Sequence, residues 1–155
     1  MKTMFKVGLV IALLCAAWQV IMIAAGWLTN PKTFAFFYLV VLIQVLILIW
    51  GLRQTAAQKS YGGQVLIGTG ASIIAGILLF LYSLLVTTVL FPNLIGEMKA
   101  MATQSLEAAG QTKEQITAAL ALNTPLNQAT QGLLGTVITG FLASLVIAIF
   151  VRKKR

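Results

Sequence analysis

The side chains that could do chemistry are few and far apart. In 155 residues there is no histidine, one cysteine (Cys15) and only three acids, Glu97, Glu107 and Glu114. A metal centre needs His, Cys or carboxylate ligands gathered in one place. One thiol and three scattered glutamates are not expected to build one. A nucleophile needs a base within hydrogen-bond reach. Ser72, Ser83 and Ser144 stand in apolar stretches with no His, Lys or carboxylate beside them. Cys15 has no second cysteine to pair with and reads as a small apolar packing residue. No catalytic, cofactor-binding or metal-binding residue is assigned, and the chain is expected to be a non-enzyme with no cofactor.

What remains is uncharged. Gln19, Gln44 and Tyr82 sit well inside long apolar runs. A polar group in such a place must find a hydrogen bond. Gln19 and Gln44 are expected either to bond each other or, with Tyr82, to form a polar lining for a lipid headgroup or solute. Proton-coupled transport normally places Asp, Glu or His inside a span, and no apolar run here holds one.

The elements that carry these residues follow from composition. The chain is 59% hydrophobic and 9% charged. A soluble domain is about 45–50% apolar and about 25% charged, so lipid is the fitting solvent. Four uncharged apolar blocks stand out, at about 7–28, 33–52, 64–91 and 131–151. A spanning helix needs roughly 20 residues, and all four qualify. Runs such as Val45-Leu46-Ile47 lack the alternation of a barrel strand. The fold class is therefore all-α, an integral membrane bundle of four transmembrane helices in a single domain of 155 residues. Met1–Lys6 has the look of a signal peptide's basic start, but the apolar run after it exceeds the roughly 7–15 residues of such a signal. An uncleaved helix is expected.

Eleven basic residues against three acids raise the question of nucleic acid. Their placement answers it. Lys2, Lys6, Arg53, Lys59 and the tail Arg152-Lys153-Lys154-Arg155 share one side of a four-span chain. Lys32, Lys99 and Lys113 share the other with all three glutamates. Positive charge marks the cytoplasmic side. The expectation is a multi-pass protein of the bacterial inner membrane with cytoplasmic N- and C-termini, in contact with membrane lipid and not with nucleic acid. Trp27 and Trp50 then fall near opposite interfaces.

The segment 92–130 lies outside and is too long for a plain turn. Ile95, Met98, Ala102, Leu106 and Ala109 recur at helical spacing. Gly110 supplies a stop, and Thr112 with Gln115 reads as a capping box opening a second short helix through Leu122. Thr124-Pro125 reads as the start of the last spanning helix. An extracytoplasmic, amphipathic helical hairpin is expected between helices 3 and 4, as a lid, a segment lying in the headgroups or a docking site.

Small residues recur every fourth position. Gly132, Thr136, Gly140 and Ser144 form one stripe, and Gly68, Ser72 and Gly76 another. Gly8, Ala12, Ala16 and Gln19 share a face of the first span. Such stripes let helix backbones approach closely in lipid, where no hydrophobic drive joins them. They predict helix packing inside the bundle or a surface for self-association. The second span is bulky throughout and is expected to face lipid over much of its surface.

Several features in order complete the pattern: the short basic start, Arg53 after the second span, Tyr61-Gly62-Gly63 before a glycine-bearing third, and Phe91-Pro92 followed by Glu97. Gly110-Gln111-Thr112-Lys113-Glu114-Gln115-Ile116 and the close with Gly140, Ser144-Leu145-Val146 and a basic tail follow. Over nearly the whole chain this resembles the bacterial membrane family called domain of unknown function 4199. The resemblance implies the same four helices with a long loop before the last, and carries over no functional residue.

Two functions fit. One is a non-enzymatic accessory or scaffold protein, acting through helix packing in a homo-oligomer or with other membrane subunits. The other is a small lipid or solute transporter, for example of a polyprenyl-linked sugar, or a self-associated channel. The transporter reading requires a cavity that reaches the polar side chains in the spans.

Overall fold

The computed structural model describes residues 1–151. The basic tail Arg152–Arg155 lies outside the described residues. All regular structure among the described residues is helical: α1 (Lys2–Ala24), α2 (Leu39–Thr55), α3 (Tyr61–Leu85), α4 (Leu94–Ala108), α5 (Lys113–Ala121) and α6 (Pro125–Val151). A 3₁₀ turn, Phe34–Tyr38, leads into α2, and a π-helical turn, Val86–Leu90, extends α3. Four helices are long and apolar enough to cross a membrane: Lys2–Ala24, Phe34–Thr55, Tyr61–Leu90 and Pro125–Val151.

Local chemistry sets the helix ends. The first apolar block runs to Leu28, but α1 stops at Ala24. Gly26 takes φ +67°, a left-handed turn that glycine tolerates best. Its N–H donates to the Ile23 carbonyl and the Trp27 N–H to that of Met22, which closes the helix in a Schellman motif. Gly110, at φ +74°, ends α4 in the same way, with bonds to the Glu107 and Leu106 carbonyls. Thr112 and Gln115 form the reciprocal capping box of α5. The Asn127 N–H donates to Thr124 Oγ1 at 3.2 Å where α6 begins at Pro125.

The four long helices close a ring in which α1 packs on α3, α3 on α6, α6 on α2 and α2 on α1. Contacts at one end fix the direction. Val7 meets Gly51, Met4 meets Gly70, and Thr55 bonds Gln64. Lys2, Lys6, Arg53 and Lys59 therefore gather at one end of the bundle. There Lys6 Nζ lies 5.4 Å over the Trp50 ring. Trp27 stands at the opposite end, 5.4 Å from Phe36.

The widest interface joins α3 to α6, and glycine makes it possible. Ser144 sits where a side chain on Gly68 would be, and Ser72 sits where one on Gly140 would be. Each serine folds its hydroxyl back onto its own helix: Ser72 Oγ donates to the Gly68 carbonyl at 3.0 Å, Ser144 Oγ to the Gly140 carbonyl at 2.6 Å. The two antiparallel helices thus exchange a serine for a glycine at two successive levels. Gly76 continues the contact, its absent Cβ leaving 3.3 Å to the Leu133 carbonyl oxygen. On the other side of α3, a Cβ on Gly8 would stand 2.6 Å from the Ala71 carbonyl.

Two apolar cores result. The larger holds Val7, Ile11, Leu48, Leu52, Ala71 and Ala75 among others, at the basic end and the middle. The smaller holds Met22, Leu28, Val86 and Leu94, towards the opposite end. Leu42, Leu46 and Trp50 of α2 point outward, as its bulk predicts, while Gln44, Leu48, Gly51 and Leu52 point in.

Candidate functional site

A cavity of about 420 Å³ opens between the four long helices, beyond the serine–glycine contacts and away from the basic end. Gln44 forms its floor. This side chain is 4% exposed. Its Nε2 donates to the Thr136 carbonyl at 2.7 Å and to Ser72 Oγ at 3.4 Å. Both donor hydrogens are thus used, and Oε1 accepts no hydrogen bond from a described residue. The glycine at 140 makes room for the amide, since a Cβ there would stand 2.8 Å from Nε2.

The walls differ in character. Gln19 of α1 and Gln131 of α6 bring amides that have no hydrogen-bond partner among the described residues. Ser83 and Thr139 add hydroxyls. The 3₁₀ turn and the start of α2 supply Phe34, Phe37, Tyr38 and Val40. That turn is held by a bond from Trp18 Nε1 to the Phe36 carbonyl at 3.1 Å and by stacking of Phe34 on Phe37. Leu94 and Met98 of α4 close the far end. No charged side chain lines the cavity among the described residues.

The π-helical turn belongs to this wall as well. Val86 and Thr87 both line the cavity, and the Phe91 N–H reaches the Val86 carbonyl at 2.7 Å. An i→i+5 turn widens a helix locally and often marks a functional site. Its hydroxyls are satisfied internally, Thr87 and Thr88 donating to the Ser83 and Leu84 carbonyls.

The mouth is defined by side chains that line the cavity and are still exposed. These are Tyr38 and Val41 beside α2, and Gln131, Gly132 and Gly135 on α6. The opening is therefore lateral, between the start of α2 and the first half of α6. At 1.5 Å per residue, Gly132 and Gly135 lie about 10–15 Å along α6 from its first residue. There α6 passes from its polar start, with Asn127, Gln128 and Gln131, into its apolar run.

The structure sorts the residues expected from sequence. Gly68, Ser72, Gly76, Gly140 and Ser144 pack helix on helix inside the bundle. Thr136 contributes its carbonyl to Gln44 and lines the cavity. Gly132 packs against no helix, since a Cβ there would meet nothing within 4 Å, and it lines the mouth of the cavity instead. The fourfold spacing names a face of α6, and α3 covers that face only from Gly140 downward and at Leu133 and Val137. Gln19 and Gln44 reach the same cavity but not each other, because Gln44 turns to Thr136 and Ser72. Tyr82 lies outside the lining and donates its hydroxyl to the Ala16 carbonyl at 3.2 Å, tying α3 to α1. Gln131, Thr139 and Cys15 line the cavity and were not singled out for it from sequence. Their polarity or size was visible there, but not their direction around the helix.

These features define a small four-helix membrane protein with an uncharged, side-opening cavity in its apolar bundle. The chain belongs to the family described as "Protein of unknown function (DUF4199)", whose profile matches residues 6–153. No curated protein and no solved structure matches it.

Proposed function

We propose that this is a non-enzymatic membrane protein that takes a small membrane-soluble molecule into its interhelical cavity, to hold it or to pass it across or onward. The observation that carries this reading is the cavity itself, large enough for a ligand head and reaching Gln19 and Gln44. The scaffold alternative drew on the small-residue stripes. Most of those residues are spent inside the bundle, which leaves that alternative less to work with. Binding clefts are mostly apolar with a few placed polar groups, and this one fits that description.

The protein sits in the cytoplasmic membrane with Lys2, Lys6, Arg53 and Lys59 facing the cytoplasm. The cavity then opens to the outer leaflet, with α4 over its end. Sidedness is read by thiol labelling of intact cells in a Cys15→Ala background. A cysteine at Gln111→Cys reacts with an impermeant reagent, and one at Gln58→Cys reacts only after lysis; the reverse pattern inverts the orientation.

Binding is tested by filling the cavity. Gly132→Phe adds a ring where nothing stands within 4 Å of the Cβ position. Native mass spectrometry of protein released from mild detergent is expected to show a co-purified adduct on the wild type and none on Gly132→Phe. Equal adducts on both proteins would sink the proposal.

A further inference from the structure

Resting on the reading of the cavity as a binding site, we infer that its ligand is an uncharged lipid with a hydroxyl-bearing head, of the glyceride or neutral glycolipid class. Three observations converge on this chemistry.

The first is the floor. Gln44 commits its Nε2 to Thr136 and Ser72, so the group it has left is an acceptor, Oε1. A ligand atom that meets it must donate. A hydroxyl both donates and accepts, whereas an ionised phosphate or carboxylate only accepts.

The second is the lining. Gln19 and Gln131 offer free amides, each with a donor and an acceptor side, and no cation or carboxylate stands beside them. A charge brought into an apolar site without a partner carries a large desolvation cost. Anionic and cationic heads are both disfavoured. Hydroxyls can use every free group present.

The third is the mouth. It opens sideways between α2 and α6, where α6 passes from polar to apolar sequence. Phe34, Phe37 and Val41 give it an apolar side at the 3₁₀ turn and the start of α2. A head can enter between the amides while its chain lies along this apolar side and leaves through the gap. A free polyol would have no use for such a wall. Water's share of liquid volume is about 30 Å³ per molecule, so a cavity of about 420 Å³ accommodates a glycerol or single-sugar head with the first part of a chain.

The test uses the full-length protein in micelles of lauryldimethylamine oxide, a detergent without hydroxyls, with three probes: monoolein, lysophosphatidic acid with the same oleoyl chain, and glycerol. Binding is read by native mass spectrometry and by the shift in thermal unfolding. One monoolein is expected per chain, at least ten-fold tighter than lysophosphatidic acid, with no shift from glycerol. The double variant Gln19→Leu/Gln131→Leu removes only side chains without described partners. It is expected to keep binding and lose at least five-fold of the preference for monoolein. Gly132→Phe abolishes binding, and Gly135→Leu is the second cavity-filling variant should the first not fold.

Equal or tighter binding of lysophosphatidic acid, still abolished by filling the cavity, overturns the uncharged class and leaves the binding site standing. Glycerol binding as well as monoolein overturns the lipid. Preference unchanged in the double variant overturns the placement of the head. Binding of every probe that ignores both cavity-filling variants overturns this inference and the proposed function together.

Discussion

Replacing Gly140 with alanine probes the contact on which the bundle closes. A Cβ at this position lands on Ser72 and within 2.8 Å of Gln44 Nε2. Overpacking of a tight core costs about 1–3 kcal/mol. Displacing the Gln44 amide also weakens its bonds to Thr136 and Ser72, at roughly 0.6 kcal/mol per interhelical bond in lipid. Against this, alanine gains up to about 1 kcal/mol over glycine inside a helix. The net expectation is a loss of about 1–3 kcal/mol. Gly132→Ala in the same helix is the matched control, because it has the same propensity gain and meets nothing. It should be neutral or stabilising by up to about 1 kcal/mol. The assay is reversible unfolding in mixed micelles, followed by circular dichroism. The pair Ser72→Gly/Gly140→Ala removes the side chain that the new Cβ strikes and is expected to recover at least about 1 kcal/mol of the single-variant loss, as coupled neighbours do, although it also gives up the Ser72 hydroxyl that accepts from Gln44. Equal stability of Gly140→Ala and Gly132→Ala, or no recovery in the double variant, would refute the reasoning.

Three further outcomes follow from single contacts. Tyr82→Phe deletes the bond to the Ala16 carbonyl and should cost about 0.6–1.7 kcal/mol in the same unfolding assay, with probe binding unchanged because Tyr82 lies outside the cavity. Thr112→Ala removes half of the capping box and should weaken α5 by about 0.5–2 kcal/mol, seen as faster hydrogen exchange over residues 113–121 while the long helices keep their protection. Gly26→Val forces a β-branched residue to φ +67° and should lower the unfolding midpoint, with the loss concentrated at the turn between α1 and Phe34.

The parts of this fold that a sequence can announce are those set by length, neighbours and charge. Four apolar runs became four long helices because each could satisfy its backbone only within itself in lipid. Gly110, Thr112 and Pro125 marked helix ends because capping is a local affair. Ser72 and Ser144 were legible as packing residues since a small stripe has few other uses. Direction around the bundle was a different matter. Gln19 and Gln44 lie at depths that suggested a pair, yet which way each amide turns depends on how the four helices are arranged. Gly132 shares a face with Gly140 but lies where the neighbouring helices leave a gap. The π-helical turn at Val86–Leu90 had no local sign at all. The candidate site is made of these long-range facts, so its ingredients could be read in advance and its assembly could not.

The exchange of serines and glycines between α3 and α6 also sets a timetable. Gly68 and Gly140 are roughly seventy residues apart, and synthesis adds about 5–20 residues per second. For several seconds α3 stands in the membrane with its notches unfilled and Ser72 without the helix that covers it. The α1 helix, already beside α2, is available earlier, so α3 can pack on it through Gly8 before α6 appears. Only when α6 inserts do Thr136 and Gly140 arrive to seat Gln44. The pocket therefore comes into being last, with the arrival of the helix that forms one side of its mouth, and a chain truncated before α6 should reach the membrane with no pocket at all.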